Sequence, residues 1–227
     1  MSAAVSYEVV RHVSSRIILA PLALALLAGG CAKSGDISVE GGVGITAVRS
    51  ACPVVGVPAG TGDITLFDPP ASRDASAIDI TAVMTNVRGA CNESGAEVAS
   101  NVTFDIRARR ARTDGPRDVT LPYFISIVRG GTQVVAKRVG NVAVHFDAGQ
   151  ALATASGQAS ASVNRAAATL PDSVRQQLTR KRKAGDTDAA VDPLSTPEVR
   201  QAVLTASFEA LVGFQLTQDQ LKYNAQR

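Results

Sequence analysis

The sequence predicts a mainly β fold, an immunoglobulin-like β-sandwich with a partly helical or disordered insertion before its last strand. Between Val102 and Ala108 every second residue is apolar and the residues between them are polar, which is the pattern of a strand with one buried face. The same alternation runs from Phe208 to Leu216, near the end of the chain. About seven short segments of this kind, separated by turn signals, are typical of two packed sheets.

The first long predicted strand covers residues 78–87 and is partly apolar on both faces. The next strand covers residues 101–109, and a turn at 113–116 follows it. In the first strand, Ile78, Ile80, Ala82 and Met84 are expected on one face, with Asp79, Thr81, Val83, Thr85 and Val87 on the other.

A hairpin is predicted from residue 121 onward. Its first strand ends at Gly130 and Gly131, because a double glycine supplies the positive φ angles of a hairpin turn. Pro122 lies near the start of this strand, which suits a strand end or a sheet edge. The partner strand begins at residue 134, and the β pattern continues to Phe146.

The composition changes between about residues 148 and 200. Residues 148–168 are rich in Ala, Ser, Gly and Gln and offer few large side chains to bury, so we interpret them as an excursion from the sandwich. Leu170, Val174 and Leu178 then lie at helical spacing around Pro171, and this helix is expected to end in basic residues. The whole region is the predicted insertion.

A second helix start is predicted inside the insertion. Ser195 and Glu198 have the spacing of a capping box, in which each side chain satisfies a backbone N–H of the first turn. The pattern leaves open whether residues 199–207 form helix or strand.

The N-terminal segment has the order of a secretory signal peptide. Arg11 and Arg16 precede an apolar run at residues 17–27, and three small residues separate that run from Cys31. The run is about a dozen residues long where a membrane-spanning helix needs about 20, which disfavours a transmembrane anchor. We therefore divide the chain into a signal peptide at 1–30, a flexible glycine-containing tether at 31–50, and a sandwich domain at 51–227.

Residues 28–31 read Ala-Gly-Gly-Cys and resemble the lipobox of bacterial lipoprotein precursors. That family prefers Leu, then Ala or Ser, then Gly or Ala, then Cys, whereas Leu27 lies one place further out here. The resemblance implies that the Cys31 sulfur carries a diacylglycerol, that the preceding peptide is removed, and that the new amino terminus is acylated, typically with palmitate. Ala32, in place of the Asp that retains such lipoproteins at the inner membrane, favours the outer membrane. Cleavage by the ordinary signal peptidase, with Cys31 left free, stays open.

The remaining two cysteines are predicted to form a disulfide. Exported chains fold where thiols oxidise, and Cys52 and Cys91 flank apolar segments as if a bridge tied two neighbouring strands. Closing a loop of about 40 residues contributes roughly 4 kcal/mol on a loop-entropy estimate. The alternative, a redox-active or metal-binding pair, has no CxxC spacing or third ligand to support it.

Charge is nearly balanced, with 23 Lys+Arg against 20 Asp+Glu, so the composition indicates no nucleic-acid partner. Two basic clusters are each interpreted as solvated charge or, alternatively, as a contact with an anionic envelope partner such as lipid head groups or lipopolysaccharide phosphates. The first is the tetrad Arg180, Lys181, Arg182 and Lys183; the second is Arg107, Arg109, Arg110, Arg112 and Arg117.

The sequence gives little support to catalysis. His145 is the histidine that remains after removal of the signal peptide, and it is expected to point away from the core because it alternates with Val144 and Phe146. No nucleophile-elbow, zinc-protease or phosphate-loop motif occurs. We therefore predict no catalytic, cofactor-binding or metal-binding residues.

A second resemblance rests on residues 52–53, Cys91, residues 121–124, residues 213–217 and the residues Gln220, Leu221, Tyr223 and Asn224. These are similar to a family of small uncharacterised proteobacterial lipoproteins, over about residues 52–147 and 208–224. The resemblance implies the same location and no named activity. The sequence thus predicts a non-enzymatic, lipid-anchored envelope protein that binds or supports another envelope component. The alternatives are an envelope hydrolase that uses carboxylates and a soluble periplasmic binding protein.

Overall fold

The computed structural model describes residues 50–183 and 185–226, which form a β-sandwich of two four-stranded sheets. The predicted fold class is confirmed at this level, while the immunoglobulin-like topology stays a prediction. The signal peptide, Cys31 and the tether up to residue 49 lie outside the described residues. In chain order the strands are β1 Val54–Gly56, β2 Asp63–Phe67, β3 Ile78–Asn92, β4 Glu97–Arg110, β5 Arg117–Arg129, β6 Gln133–Phe146, β7 Leu152–Asn164 and β8 Phe208–Phe214.

One sheet has the order β1-β8-β5-β6 and the other β2-β3-β4-β7. The pair β1 and β8 is parallel, and the other pairs are antiparallel. The α-helices of the described residues are α1 Arg165–Ala168, α2 Asp172–Thr179, α3 Pro197–Ala206 and α4 Gln218–Ala225. None of these helices has the length and apolar character needed to cross a bilayer.

The core lies between the sheets and is built by the two alternations that predicted the fold. Inward-facing residues of β4 and β8 are between 0% and 7% exposed, because period-two patterning places every second side chain on one face. These residues are Val102, Phe104, Ile106 and Ala108 on β4, and Phe208, Ala210, Val212 and Phe214 on β8.

A β-bulge changes the predicted phase of β3. Thr85 pairs with Asp105 but Arg88 pairs with Thr103, so two residues of β3 lie opposite one residue of β4. Asn86 adopts a φ of 53°, a left-handed conformation that Asn tolerates better than most residues. Val87 therefore packs against the core, and its predicted place on the same face as Thr85 is wrong.

The predicted hairpin at Gly130 and Gly131 is confirmed, with φ angles of 61° and 78°. Pro122 lies inside β5, which pairs with β6 on one side and with β8 on the other. At Pro122, however, β8 has already ended, so this position is at an edge of the sheet on that side. The Pro122 carbonyl accepts a hydrogen bond from the Gln215 N–H, one residue beyond the end of β8. Proline has no N–H to donate, but at this position the neighbouring strand β8 has already ended. The sheet therefore loses no hydrogen bond between β5 and β8.

The first part of the predicted insertion is instead strand β7, which pairs with β4 along its whole length. Its inward positions are alanines, Gly157 and, near the end of the strand, Val163, and the small residues let β7 approach the bulky rings of the core. A Cβ at Gly157 would lie 2.4 Å from the Phe104 ring. The composition that indicated an excursion is therefore the result of close packing, and the insertion begins only after Asn164.

The second part of the insertion is helical, as predicted. Leu178, Val199 and Val203 are buried together in a small separate core, with Leu170 and Val174 packed against it. The helical spacing of Leu170, Val174 and Leu178 is thus explained by packing of α2 against α3.

Two details of these helices differ from prediction. Helix α2 ends at Thr179, before the basic tetrad, because the chain turns to an extended conformation at Arg180. Helix α3 begins with Pro197 after Thr196 as N-cap, so Ser195 lies one residue too early to form a capping box with Glu198. A capping box that the sequence analysis missed lies instead at the start of α4, between Thr217 and Gln220.

Candidate functional site

The predicted disulfide between Cys52 and Cys91 is confirmed, with Cα atoms 6.0 Å apart. Cys52 precedes β1 of one sheet and Cys91 lies near the end of β3 of the other, so the bridge joins the two sheets. The two sheets approach each other closely here, since a Cβ atom added to Gly89 of β3 would lie 2.5 Å from the side chain of Val55 on β1. The bridge therefore closes the sandwich at this edge.

Arg110 belongs to the predicted basic surface cluster but is only 3% exposed, so the prediction of exposure is wrong for it. Its guanidinium donates hydrogen bonds of 2.7–2.8 Å to the carbonyls of Gly115, Asp147 and Gln150. Its Cζ lies 5.2 Å from the centre of the Phe146 ring, a cation–π contact. Arg110 is a structural residue that ties two loops together.

Two more arginines of this cluster bind carboxylates of the same chain. Arg117 donates two hydrogen bonds, of 2.9 and 2.7 Å, to the buried carboxylate of Asp79. These hydrogen bonds hold the pKa of Asp79 below its usual range, although its burial acts in the opposite direction. Arg112 bridges Asp79 and Asp68. Arg107 and Arg109 lie apart from this network, on the outer face of β4.

The tetrad at residues 180–183 is partly neutralised. Arg180 and Arg182 both form ion pairs with Asp188, and Arg182 is only 5% exposed. Lys181 and Lys183 are exposed. Contact of this tetrad with an anionic envelope surface stays a prediction, carried mainly by its two lysines.

His145 points away from the core, as predicted, while Val144 and Phe146 are fully buried. Its Nδ1 lies 2.7 Å from a carboxylate oxygen of Asp118, and its Nε2 lies 3.4 Å from one of Asp147. The hydrogen bond and the charge of Asp118 raise the pKa of His145 above 6.5, with a further contribution from Asp147.

We expect His145 to titrate above pH 6.5, and Asp118→Asn to lower its pKa toward that value. Because the folded-state pKa is raised, the pair contributes stability below pH 6.5 and loses it as the pH rises through the folded-state pKa. An NMR titration of the imidazole Cε1–H measures this, with Asp114→Asn as an exposed control. A His145 pKa at or below 6.5 in the parent chain contradicts the prediction.

The most site-like feature of the described residues is a cavity of about 240 Å³ at one end of the sandwich. Residues distant in the sequence build it. Ser50 precedes β1, Glu93 follows β3, Arg165 begins α1, Leu178 lies on α2, and Ala206 ends α3. A wider depression of about 660 Å³ shares part of its wall with this cavity. Both lie where the helical segment meets the sheets.

The polar group that distinguishes the cavity is the Arg165 guanidinium. The backbone at Arg165 is fixed, because its N–H donates to the Ala96 carbonyl and the Asn164 side chain caps helix α1. The Nε and Nη2 atoms of Arg165 are buried, yet neither has a hydrogen-bond partner. Arg165 as a whole is half-buried, but two buried donors without partners are costly, so this residue is the one on the wall best suited to donate to an anion.

Arg165 and the cavity were not predicted from the sequence. The available signal was weak, namely a single arginine placed between an Asn and three alanines in a segment otherwise free of charge. The residues singled out instead, in the two basic clusters, are largely engaged with carboxylates or carbonyls of this chain. Within residues 50–183 and 185–226, no three His, Cys, Asp or Glu side chains are grouped so as to hold a metal ion.

No protein-family model, curated protein or solved structure matches this chain.

Proposed function

We propose that this chain is a lipid-anchored cell-envelope protein whose sandwich domain binds another envelope component, without catalysis. The observation that carries the binding function is the cavity of about 240 Å³ with Arg165 on its wall, whose Nε and Nη2 atoms have no hydrogen-bond partner. The Cys52–Cys91 bridge supports export, because disulfides form and persist in oxidising compartments. The lipobox-like residues 28–31 support the anchor, with Cys31 as the lipidated residue.

The alternative of a hydrolase that uses carboxylates is less well supported. A catalytic acid or base needs a pKa near the working pH and a free hydrogen-bonding position. The buried carboxylate of the described residues is Asp79, which Arg117 binds with two hydrogen bonds and whose pKa is lowered. This carboxylate has the environment of a structural ion pair. Binding is therefore the function that the geometry favours.

The anchor is tested by intact-mass analysis of the protein extracted from membranes without reducing agent. We expect the mass of the chain from Cys31 onward, plus acyl groups and minus two hydrogens for the Cys52–Cys91 bridge. The variant Cys31→Ala is expected to lose both the acyl mass and the membrane association. An unacylated mature parent chain would overturn the lipoprotein proposal and favour the soluble periplasmic binding protein.

Binding is tested separately, by native mass spectrometry of the extracted protein. A non-covalent adduct is expected on the parent chain and is expected to be lost in Ala206→Trp, which fills the cavity. The matched control is Ala136→Trp, at an exposed position of β6. An adduct that both variants keep, or that the parent never shows, counts against binding at this cavity.

A further inference from the structure

We propose that the cavity binds a small monocarboxylate with a short apolar tail, and that Arg165 receives the carboxylate. The inference deepens the proposed binding function and rests on it, but it does not depend on the lipid anchor. Its starting observation is that two specific atoms of Arg165, Nε and Nη2, are buried and unpartnered.

These two atoms form one side of the guanidinium. The N–H bond of Nε and one N–H bond of Nη2 are parallel, and a carboxylate accepts both with its two oxygens. If only one of the atoms lacked a partner, a single acceptor such as a water molecule or a carbonyl would suffice. Because both atoms of this fork lack partners, a two-oxygen anion matches it better than a single acceptor does. Such forked hydrogen bonds are the strongest that arginine makes.

The charge already in the cavity favours a monoanion. Glu93 is exposed on the wall of the cavity, and Arg175, also on the wall, is already paired with Asp172 at 2.6 Å. A phosphate monoester carries between about 1.5 and 2 negative charges at pH 7, so Glu93 repels it more strongly than a carboxylate. Glu93 already offsets part of the charge of Arg165, so the site tolerates one added negative charge better than two.

The rest of the wall sets the size and character of the tail. Ala168, Leu170, Leu178 and Ala206 contribute apolar surface. At roughly 30 Å³ for each water-sized group, a cavity of about 240 Å³ holds about eight heavy atoms. Hexanoate, with two oxygens and six carbons, has this size. A free aliphatic carboxylate and the C-terminal residue of a peptide both provide the required chemistry.

The test is a calorimetric titration of the mature chain, residues 31–227, carrying Cys31→Ala so that it needs no detergent, with hexanoate as the probe. We expect saturable binding of hexanoate, and binding at least about tenfold weaker by acetate, which lacks the tail, and by 1-hexanol, which lacks the charge. The second arm uses N-acetyl-alanyl-leucine. Tighter binding of this peptide than of hexanoate identifies a peptide C-terminus as the source, and the reverse order identifies a free aliphatic carboxylate.

Variants show whether Arg165 is responsible. Arg165→Met removes the fork and is expected to weaken hexanoate binding at least about tenfold, while the midpoint of urea unfolding is kept or raised, because no protein partner is lost. Arg165→Lys keeps the charge without the fork and is expected to be intermediate. Arg109→Met removes an exposed guanidinium on β4, away from the cavity, and is expected to change the affinity less than twofold.

A further variant keeps the test independent of Arg165. Ala206→Leu fills part of the cavity without changing any charge and is expected to weaken hexanoate more than acetate. The proposal is overturned if hexanoate fails to bind the parent chain, or if Arg165→Met and Arg109→Met bind it equally well. A distinct outcome is that hexanoate fails to bind while the intact-mass analysis still shows the acyl groups and native mass spectrometry still shows an adduct that depends on the cavity. That result would keep the proposed function and reject only the proposal that the ligand is a carboxylate.

Discussion

Removal of the Cys52–Cys91 disulfide is expected to lower the free energy of unfolding by about 4 kcal/mol, since the bridge closes a loop with a sequence separation of 39 residues. The loss is large for a domain of this size, whose total stability is about 5–15 kcal/mol. Because the bridge joins the two sheets, its loss is expected to loosen first the edge where β1 meets β3. Urea unfolding of Cys52→Ala/Cys91→Ala in the Cys31→Ala background measures the effect.

Reduction of the parent disulfide is the matched control for that double variant. Both treatments are expected to lower the unfolding midpoint by the same amount, whereas the Cys31→Ala change alone leaves it unchanged. A loss below about 1 kcal/mol would mean that packing of Val55 on Gly89 holds this edge without the covalent bond.

Arg110→Met is expected to destabilise the fold by about 3 kcal/mol or more, because the carbonyls of Gly115, Asp147 and Gln150 lose their donor together. Methionine keeps much of the volume of the side chain but offers no N–H. Arg110→Lys is expected to recover only part of the loss, since an ammonium group does not reproduce the planar array of donors. Urea unfolding of the Cys31→Ala chain again provides the measurement.

Arg109→Met is the matched control for this change. Arg109 is the preceding residue of β4, its side chain is exposed on the opposite face, and its replacement removes the same charge. Its effect is expected to stay within about 0.5 kcal/mol, as for most surface substitutions. Equal destabilisation by the two variants would show that lost charge, and not lost donors, explains the result for Arg110.

The strands that the sequence predicted well are those with two different environments on their two faces. In β4 and β8 the inward residues are large and apolar, so the period of two is plain in the letters alone. In β7 the inward residues are mostly alanines and Gly157, with Val163 near the end, and the Phe104 ring of β4 lies against Gly157. Small residues alone do not indicate a buried strand face unless the large side chain that packs on them is known. For this reason the sequence did not predict β7.

The cavity was harder to predict than the fold for a related reason. Its wall combines Glu93, Arg165, Leu178 and Ala206, which come from four separate elements. Arg110 and Arg109 are adjacent and identical in type, yet one is bound by three carbonyls and the other faces outward. The period of two in β4 places residue 110 on the inward face, but only the tertiary structure shows the carbonyls that accept its hydrogen bonds.

The bulge at Asn86 has a consequence for disulfide formation during folding. Cys91 lies five residues beyond Asn86 and faces inward because the extra residue has already changed the phase of the strand. A chain whose β3 pairs one residue out of register turns Cys91 to the opposite face, where it cannot reach Cys52. Formation of the Cys52–Cys91 disulfide therefore indicates that β3 is paired in the correct register. Molecules with the wrong register keep free thiols at Cys52 and Cys91, which a thiol-reactive mass label would detect.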